Sequence, residues 1–125
     1  MITRIEALAE AIMEYSGYRD PEGALFQARN PGGLKAHAPT VLQDIEGNRV
    51  FASMKSGWDA LLYDLRVKCS GQSHTALTSQ SSVKDLLLTN GFEKVLVRKV
   101  INFVRRALQD QGITEETELS FFGES

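Results

Sequence analysis

The stretch Arg29-Asn30-Pro31-Gly32-Gly33-Leu34 constrains this chain more than any other. Pro31 locks one backbone angle and removes an amide donor, so no helix interior or central strand can run through it. The paired glycines then admit a positive φ or the close approach of another backbone. One element must therefore end before the turn and another begin after it. The turn is either a plain reversal or the joint that holds those two elements together.

Periodicity supplies the elements. Ile2, Ile5, Leu8, Ala9, Ile12 and Met13 recur at intervals of three and four, the spacing of one helical face. Thr3 and Glu6 stand at capping-box spacing, and Gly17 is the expected stop. Residues 18–40 then lose periodicity and gather Pro21, Gly23, Pro31, Gly32, Gly33 and Pro39, an aperiodic length more often functional than idle. Two short alternating runs, 41–45 and 49–53, flank Glu46-Gly47-Asn48 and predict a β-hairpin. Ser56 is expected to open a second helix, with Asp59 as its capping-box partner and Trp58, Leu61, Leu62, Leu65 and Cys69 as its apolar face. Residues 70–82 are polar, a loop with a weak helical turn at 75–77. Ser82-x-x-Asp85 begins a short helix ended by Gly91. Phe92, Leu96, Val100, Phe103, Val104, Ala107 and Leu108 mark the last helix, expected to run to Gly112. The acidic tail, about 114–125, should fray except where Leu119, Phe121 and Phe122 dock. No internal repeat or low-complexity tract interrupts this order. The expected class is α+β, mainly helical: four to five helices with a small β-hairpin, in a single domain over 1–125.

The totals narrow the function classes. With 42% hydrophobic and 24% charged residues in 125, the chain can bury roughly two-thirds of its unfolded surface. A formal net charge of −2 gives no global attraction to nucleic acid or anionic membrane. The lone cysteine, Cys69, excludes an internal disulfide and fits a reducing compartment. Met1-Ile2-Thr3-Arg4-Ile5-Glu6 breaks its apolar residues with charge, so a cleaved signal peptide is not expected. Leu86-Leu87-Leu88 is far too short to cross a bilayer, and no membrane insertion is expected.

Several residue types carry chemistry in other proteins but lack the surrounding pattern here. His37 and His74 match no ligand spacing with Cys69, so no metal site is expected. Ser79, Ser81 and Ser82 have no elbow glycines, which leaves a nucleophilic serine without support. Arg98, Lys99, Arg105 and Arg106 form a basic band on the last helix. It fits a solvated face opposite Val100 and Val104, while Phe92 and Phe103 fall on the core stripe and offer no base-stacking platform. A nucleic-acid adaptor would rest on that helix alone, and no nucleic-acid partner is expected. Tyr15, Tyr18 and Trp58 are better ligand candidates because aromatic faces stack on sugar rings, although Trp58 suits the core equally well.

The order of these features carries a resemblance. Leu8-Ala9-Glu10-Ala11-Ile12 lies on a helix, a glycine break and a loop follow, and then comes Ala28-Arg29-Asn30-Pro31-Gly32-Gly33-Leu34-Lys35. Val50-Phe51-Ala52-Ser53 leads into Met54-Lys55-Ser56-Gly57-Trp58-Asp59-Ala60-Leu61, and Phe103-Val104-Arg105-Arg106-Ala107-Leu108-Gln109-Asp110-Gln111-Gly112-Ile113 closes the chain. Essentially the whole length resembles the small lysozyme-like domains of phages and prophages, which carry an Asn-Asn-Pro-Gly-Asn-Leu signature, a Phe-Ala-x-Phe strand and a helix with glycine three residues before alanine-leucine. The signature is shortened here, and Gly33 stands at its later asparagine.

The resemblance implies a lysozyme-like fold, a peptidoglycan glycan strand as partner, other virion proteins as further partners, and no cofactor. It implies a protein that stays in the cytoplasm of the producing cell or travels with the virion. It also implies a catalytic glutamate immediately before the glycine that ends the first helix. There the carboxyl would sit at the negative end of the helix dipole in a partly apolar cleft, and both effects favour the proton-carrying form that a glycosidase acid needs. In Glu14-Tyr15-Ser16-Gly17-Tyr18 that position is Ser16, whose hydroxyl is no such acid. Glu14 lies about 200° around the helix from it. Asp20 and Glu22, on the following loop, are the candidate catalytic carboxylates, and Tyr18, Asn30, Gly33 and Phe51 the candidate substrate-binding residues. Two expectations follow: a muramidase with a non-standard acid, or a non-catalytic virion structural or glycan-binding module of the same fold.

Overall fold

The computed structural model describes residues 2–73 and 75–123. Its elements are α1 (Arg4–Tyr15), α2 (Ala24–Gln27), α3 (Met54–Cys69), α4 (Val83–Thr89), α5 (Lys94–Leu108) and α6 (Leu119–Gly123). The chain is mainly helical, as the periodicity predicts.

Helix α1 is the centre of the molecule. Ile5, Ala7, Leu8, Ala9, Ala11, Ile12 and Met13 are all buried, so the helix is covered on nearly every side. Its alanines leave room for neighbours on several faces, and α5, α3 and α6 all pack against it. From α5 come Val97, Val100, Ile101 and Val104; from α3 come Leu61, Leu62, Leu65 and Cys69; α4 adds Val83, Leu86 and Leu87. The expected Thr3–Glu6 capping box forms: the Thr3 hydroxyl accepts from the Glu6 amide, and the Glu6 carboxylate accepts from the Thr3 amide. The Ser82–Asp85 box at the head of α4 forms in the same way.

The β-hairpin predicted for 41–45 and 49–53 is absent. Only isolated antiparallel bridges are found there, between Gln43 and Arg49 and between Lys35 and Asn48. Two causes are visible. The Asp44 carboxylate gathers the amides of Glu46 and Asn48 and the Asn48 side chain into one tight knot, so side-chain bonds organise the turn and the backbone pairing stays short. Leu42 and Ile45 are exposed, so the first run lays no apolar face against the core, and the pairing stops at the Val50 amide–Leu42 carbonyl and Asp44 amide–Asn48 carbonyl bonds.

Other departures concern boundaries. Helix α3 begins at Met54 because Ser53, not Ser56, is the cap, its hydroxyl accepting from the Ser56 amide; Asp59 pairs with Lys55 instead. Helix α2 lies inside the span expected to be aperiodic. Residues 75–77 form no helical turn. Helix α5 stops at Leu108, ahead of Gly112, because Gln109 turns left-handed with φ 52°. The tail is held rather than frayed over its described part. The Val83 amide donates to the Thr117 carbonyl and the Leu119 amide to the Ser81 carbonyl, and Leu119 and Phe122 are fully buried. The Arg4 guanidinium lies 4.0 Å over the Phe121 ring and also donates to the Phe121 carbonyl. Met1, His74 and the last two residues of the tail lie outside the described residues.

Candidate functional site

Helix α2 ends in a Schellman closure that delivers the chain into the turn. The Arg29 amide donates to the Phe26 carbonyl and the Asn30 amide to the Leu25 carbonyl, with Arg29 left-handed at φ 54°. An arginine at a place that usually takes glycine hides this ending from sequence inspection.

The turn is then fixed from three directions. Asn30 is fully buried: its Nδ2 donates to the carbonyls of Leu34 and Arg49 at 2.8 and 3.0 Å, and its Oδ1 accepts from the Leu34 amide at 2.9 Å. One side chain thereby closes the turn and ties it to the segment leaving the Asp44 knot. Helix α3 supports it from below at Gly57, where a Cβ would run into the Arg29 carbonyl oxygen and come within 2.9 Å of the Pro31 ring. Gly32 is pressed on Leu61, whose Cδ1 would lie 2.6 Å from an added Cβ. Gly33 has φ +65°, the left-handed region. The two glycines of the turn thus meet different needs: close approach at 32 and backbone conformation at 33.

The third support is Ser16, the C-cap of α1. Its hydroxyl donates to the Pro31 carbonyl at 2.9 Å, with the Met13 carbonyl a longer alternative at 3.2 Å, and it accepts from the Tyr18 amide at 3.3 Å. Where the resemblance implies a proton donor for a ligand, Ser16 spends its donor on joining the end of α1 to the turn.

An open cavity of about 550 Å³ lies between the end of α1, the turn and the start of α5. Tyr15, Asp20, Gly33, Lys35, Asn90 and Phe92 are among its walls. Of the sequence-predicted residues, Tyr15, Asp20 and Gly33 line this space, as does Ser16, the expected acid position. Asp20 is exposed, and its Oδ1 accepts from the Glu22 amide. Glu22 lies on another face, in a shallow hollow beside Ile45 and Val50. Tyr18 is turned inward and stacks obliquely on Phe26 at 5.7 Å. Asn30 and Phe51 are buried behind the wall. Tyr15 reaches both the cavity and the core, meeting Phe103 edge-on at 6.5 Å. Trp58 is half-buried against the core.

Lys35, Asn48 and Asn90 are wall residues that the sequence reading did not select. They come from three separate segments, and only the fold joins them: Lys35 Nζ donates to Asn48 Oδ1 at 2.7 Å, and Asn90 Oδ1 accepts from Lys68. Two further carboxylates, Glu46 and Glu93, reach the rim, and both are exposed.

The remaining candidates sit apart from this cavity. Cys69 is in the core, and burial pushes its thiol up to about 12. His37 lies on the exposed loop after the turn, and no three metal-ligating side chains gather among the described residues. On the basic band of α5, Arg98, Lys99 and Arg106 are exposed, while Arg105 is half-buried and donates to the Gln111 carbonyl. No described helix is long and apolar enough to cross a membrane. Comparison with protein families, with curated proteins and with solved structures gives no match at the level of family, sequence or fold.

Proposed function

We propose that this chain is a lysozyme-like module that binds one glycan strand of peptidoglycan along the groove around Gly32 and Gly33, and that it does not cleave the strand. The observation that carries the reading is the use of Ser16. The hydroxyl at the end of α1 is committed to the Pro31 carbonyl, so the position from which an acid would serve the cleft is structural. A glycosidase acid must hold its proton near neutral pH, which takes a desolvated carboxyl. The carboxylates that reach the cavity, Asp20, Glu46 and Glu93, are exposed.

What remains suits sugar binding. Carboxylates accept from hydroxyls, amides both donate and accept, and the rings of Tyr15 and Phe92 that line the cavity offer apolar contact to a sugar. The left-handed backbone at Gly33 also accepts asparagine, the residue that the resembled signature carries there. A phage or virion setting, with other virion proteins as neighbours, belongs to the same proposal.

A second reading, hydrolysis with Asp20 as acid, is favoured by one observation: Asp20 does line the cavity. Incubation of the wild type, Ser16→Glu and Asp20→Asn proteins with isolated peptidoglycan separates the two. Co-sedimentation of wild type with no released muropeptides is the expected result. Muropeptide release by wild type that is lost in Asp20→Asn would establish the hydrolase, and failure to co-sediment would remove the glycan reading.

A further inference from the structure

A second cavity, of about 640 Å³, lies across the Gly32-Gly33 turn from the first and shares Gly32, Gly33, Lys35 and Asn90 with it. Its charge is of the opposite kind. The first cavity has Asp20, Glu46 and Glu93 on its rim; the second is lined by Lys35, Arg49 and Lys68, with Asp64 as its acid. Lys68 is neutralised locally, paired with Asp64 at 2.9 Å and donating to Asn90. Lys35 is held by the neutral Asn48 amide, with the Asp44 carboxylate behind that amide and no direct ion pair among the described residues.

Arg49 is the more telling residue. Its backbone is pinned on both sides, the amide donating to the Leu34 carbonyl and its own carbonyl accepting from Asn30. Its guanidinium is positioned over the Phe51 ring at 4.7 Å. Among the described residues no protein acceptor takes up that guanidinium. A half-buried, oriented fork of donors, with a second cation lining the same cavity, is the arrangement that recognises a carboxylate in a bidentate way.

We propose that this second cavity is a subsite for a carboxylate carried by the same polymer whose sugars occupy the first, a proposal that rests on the glycan reading above. Two sources could present that group: the lactyl carboxylate on the sugar itself, or a carboxylate of the attached peptide.

The test compares three ligands of matched length: uncharged N-acetylglucosamine oligomers, amidase-stripped glycan strands bearing sugar lactyl carboxylates, and intact strands bearing peptide. Wild type should bind at least one carboxylated ligand about tenfold more tightly than the uncharged oligomer. Preference for stripped strands assigns the sugar carboxylate; preference for intact strands alone assigns the peptide. In Arg49→Gln the ratio should fall toward one, with Lys35→Gln lowering it in part, and the preference should shrink as salt is raised. Arg49→Lys, which keeps the charge and loses the fork, should fall between; circular dichroism checks that each variant is folded. Equal wild-type affinity for all three ligands would overturn the subsite and leave the glycan reading standing. Should no strand bind, the glycan reading falls. A titration with soluble stem peptide that leaves the Arg49 Nε–H resonance unmoved would then remove the subsite as well.

Discussion

Replacing Asn30 tests the central claim about how this site is built. Its three hydrogen bonds, at 2.8, 2.9 and 3.0 Å, are made where solvent does not reach. Asn30→Ala removes all of them and leaves the Leu34 amide and the Arg49 carbonyl without their partner, while the Leu34 carbonyl keeps the Arg49 amide. At about 1 kcal/mol per bond, the loss is about 3 kcal/mol. For a domain of this size that lowers the melting temperature by roughly 10 °C. Asn30→Asp sharpens the test. The new carboxyl keeps the bond from the Leu34 amide, but its other oxygen faces the Leu34 and Arg49 carbonyls, where asparagine had placed a donor. Only the protonated acid can supply a donor there, so the folded-state pKa must rise above the ordinary aspartate value of about 3.9. A group raised on folding contributes stability below its unfolded pKa and loses it as pH climbs through the folded pKa. Asn30→Asp should therefore be milder than Asn30→Ala near pH 3.5 and harsher at pH 7. The difference grows by about 1.4 kcal/mol for each unit of upward shift. Urea denaturation of wild type and both variants at each pH measures this, with the wild type's own acid sensitivity subtracted. An alanine variant within 0.5 kcal/mol of wild type, or an aspartate variant whose deficit is the same at both pH values, would refute the reasoning.

Three further outcomes follow from the same geometry. Gly57→Ala, which would gain about 1 kcal/mol in an exposed helix, should instead lose about 2 kcal/mol in urea denaturation, because its Cβ meets the Arg29 backbone and the Pro31 ring. Gln109→Gly should stabilise by about 1 kcal/mol, seen as a rise of a few degrees in melting temperature, since Gln109 is exposed and left-handed; a fall would contradict the left-handed end of α5. The Cys69 thiol, pushed up to about 12 by burial, should resist a chromogenic thiol reagent at pH 8 until denaturant unfolds the chain. Rapid labelling of native protein would contradict its place in the core.

The helices of this chain were legible where the signal was local. Thr3 with Glu6 and Ser82 with Asp85 sit one turn apart, and each closes its own helix start without help from elsewhere. The start of α3 departs from the expected Ser56 because Ser53 also carries cap chemistry and stands earlier, so its hydroxyl takes the Ser56 amide. The hairpin was misread because alternation at 41–45 records side-chain types but not whether a face is available to bury them. Leu42 and Ile45 stand in solvent. Helix α2 escaped notice because its left-handed exit is at Arg29, where glycine would have been the visible sign.

The turn itself was legible as a joint, but its partners were not. Asn30 is a ligand candidate only through the resemblance; the fold shows its side chain used up inside. Lys35, Asn48, Arg49 and Asn90 face the cavities because the Asp44 knot, the α4 terminus and the turn converge in space, which no spacing along the chain encodes.

Ser16 links these threads. A hydroxyl donating to the Pro31 carbonyl stabilises the same turn that Asn30, Gly57 and Gly32 support, so the end of α1 and the floor of the groove form one unit. An ionised glutamate at that position could not donate to Pro31. It would have to leave the joint unmade and turn into the cavity, or keep a proton and so retain the very property a glycosidase acid requires. Only a protonated glutamate could serve both, whereas serine makes the joint and supplies no acid. That use of the position supports the proposal of a module that holds a strand without cutting it.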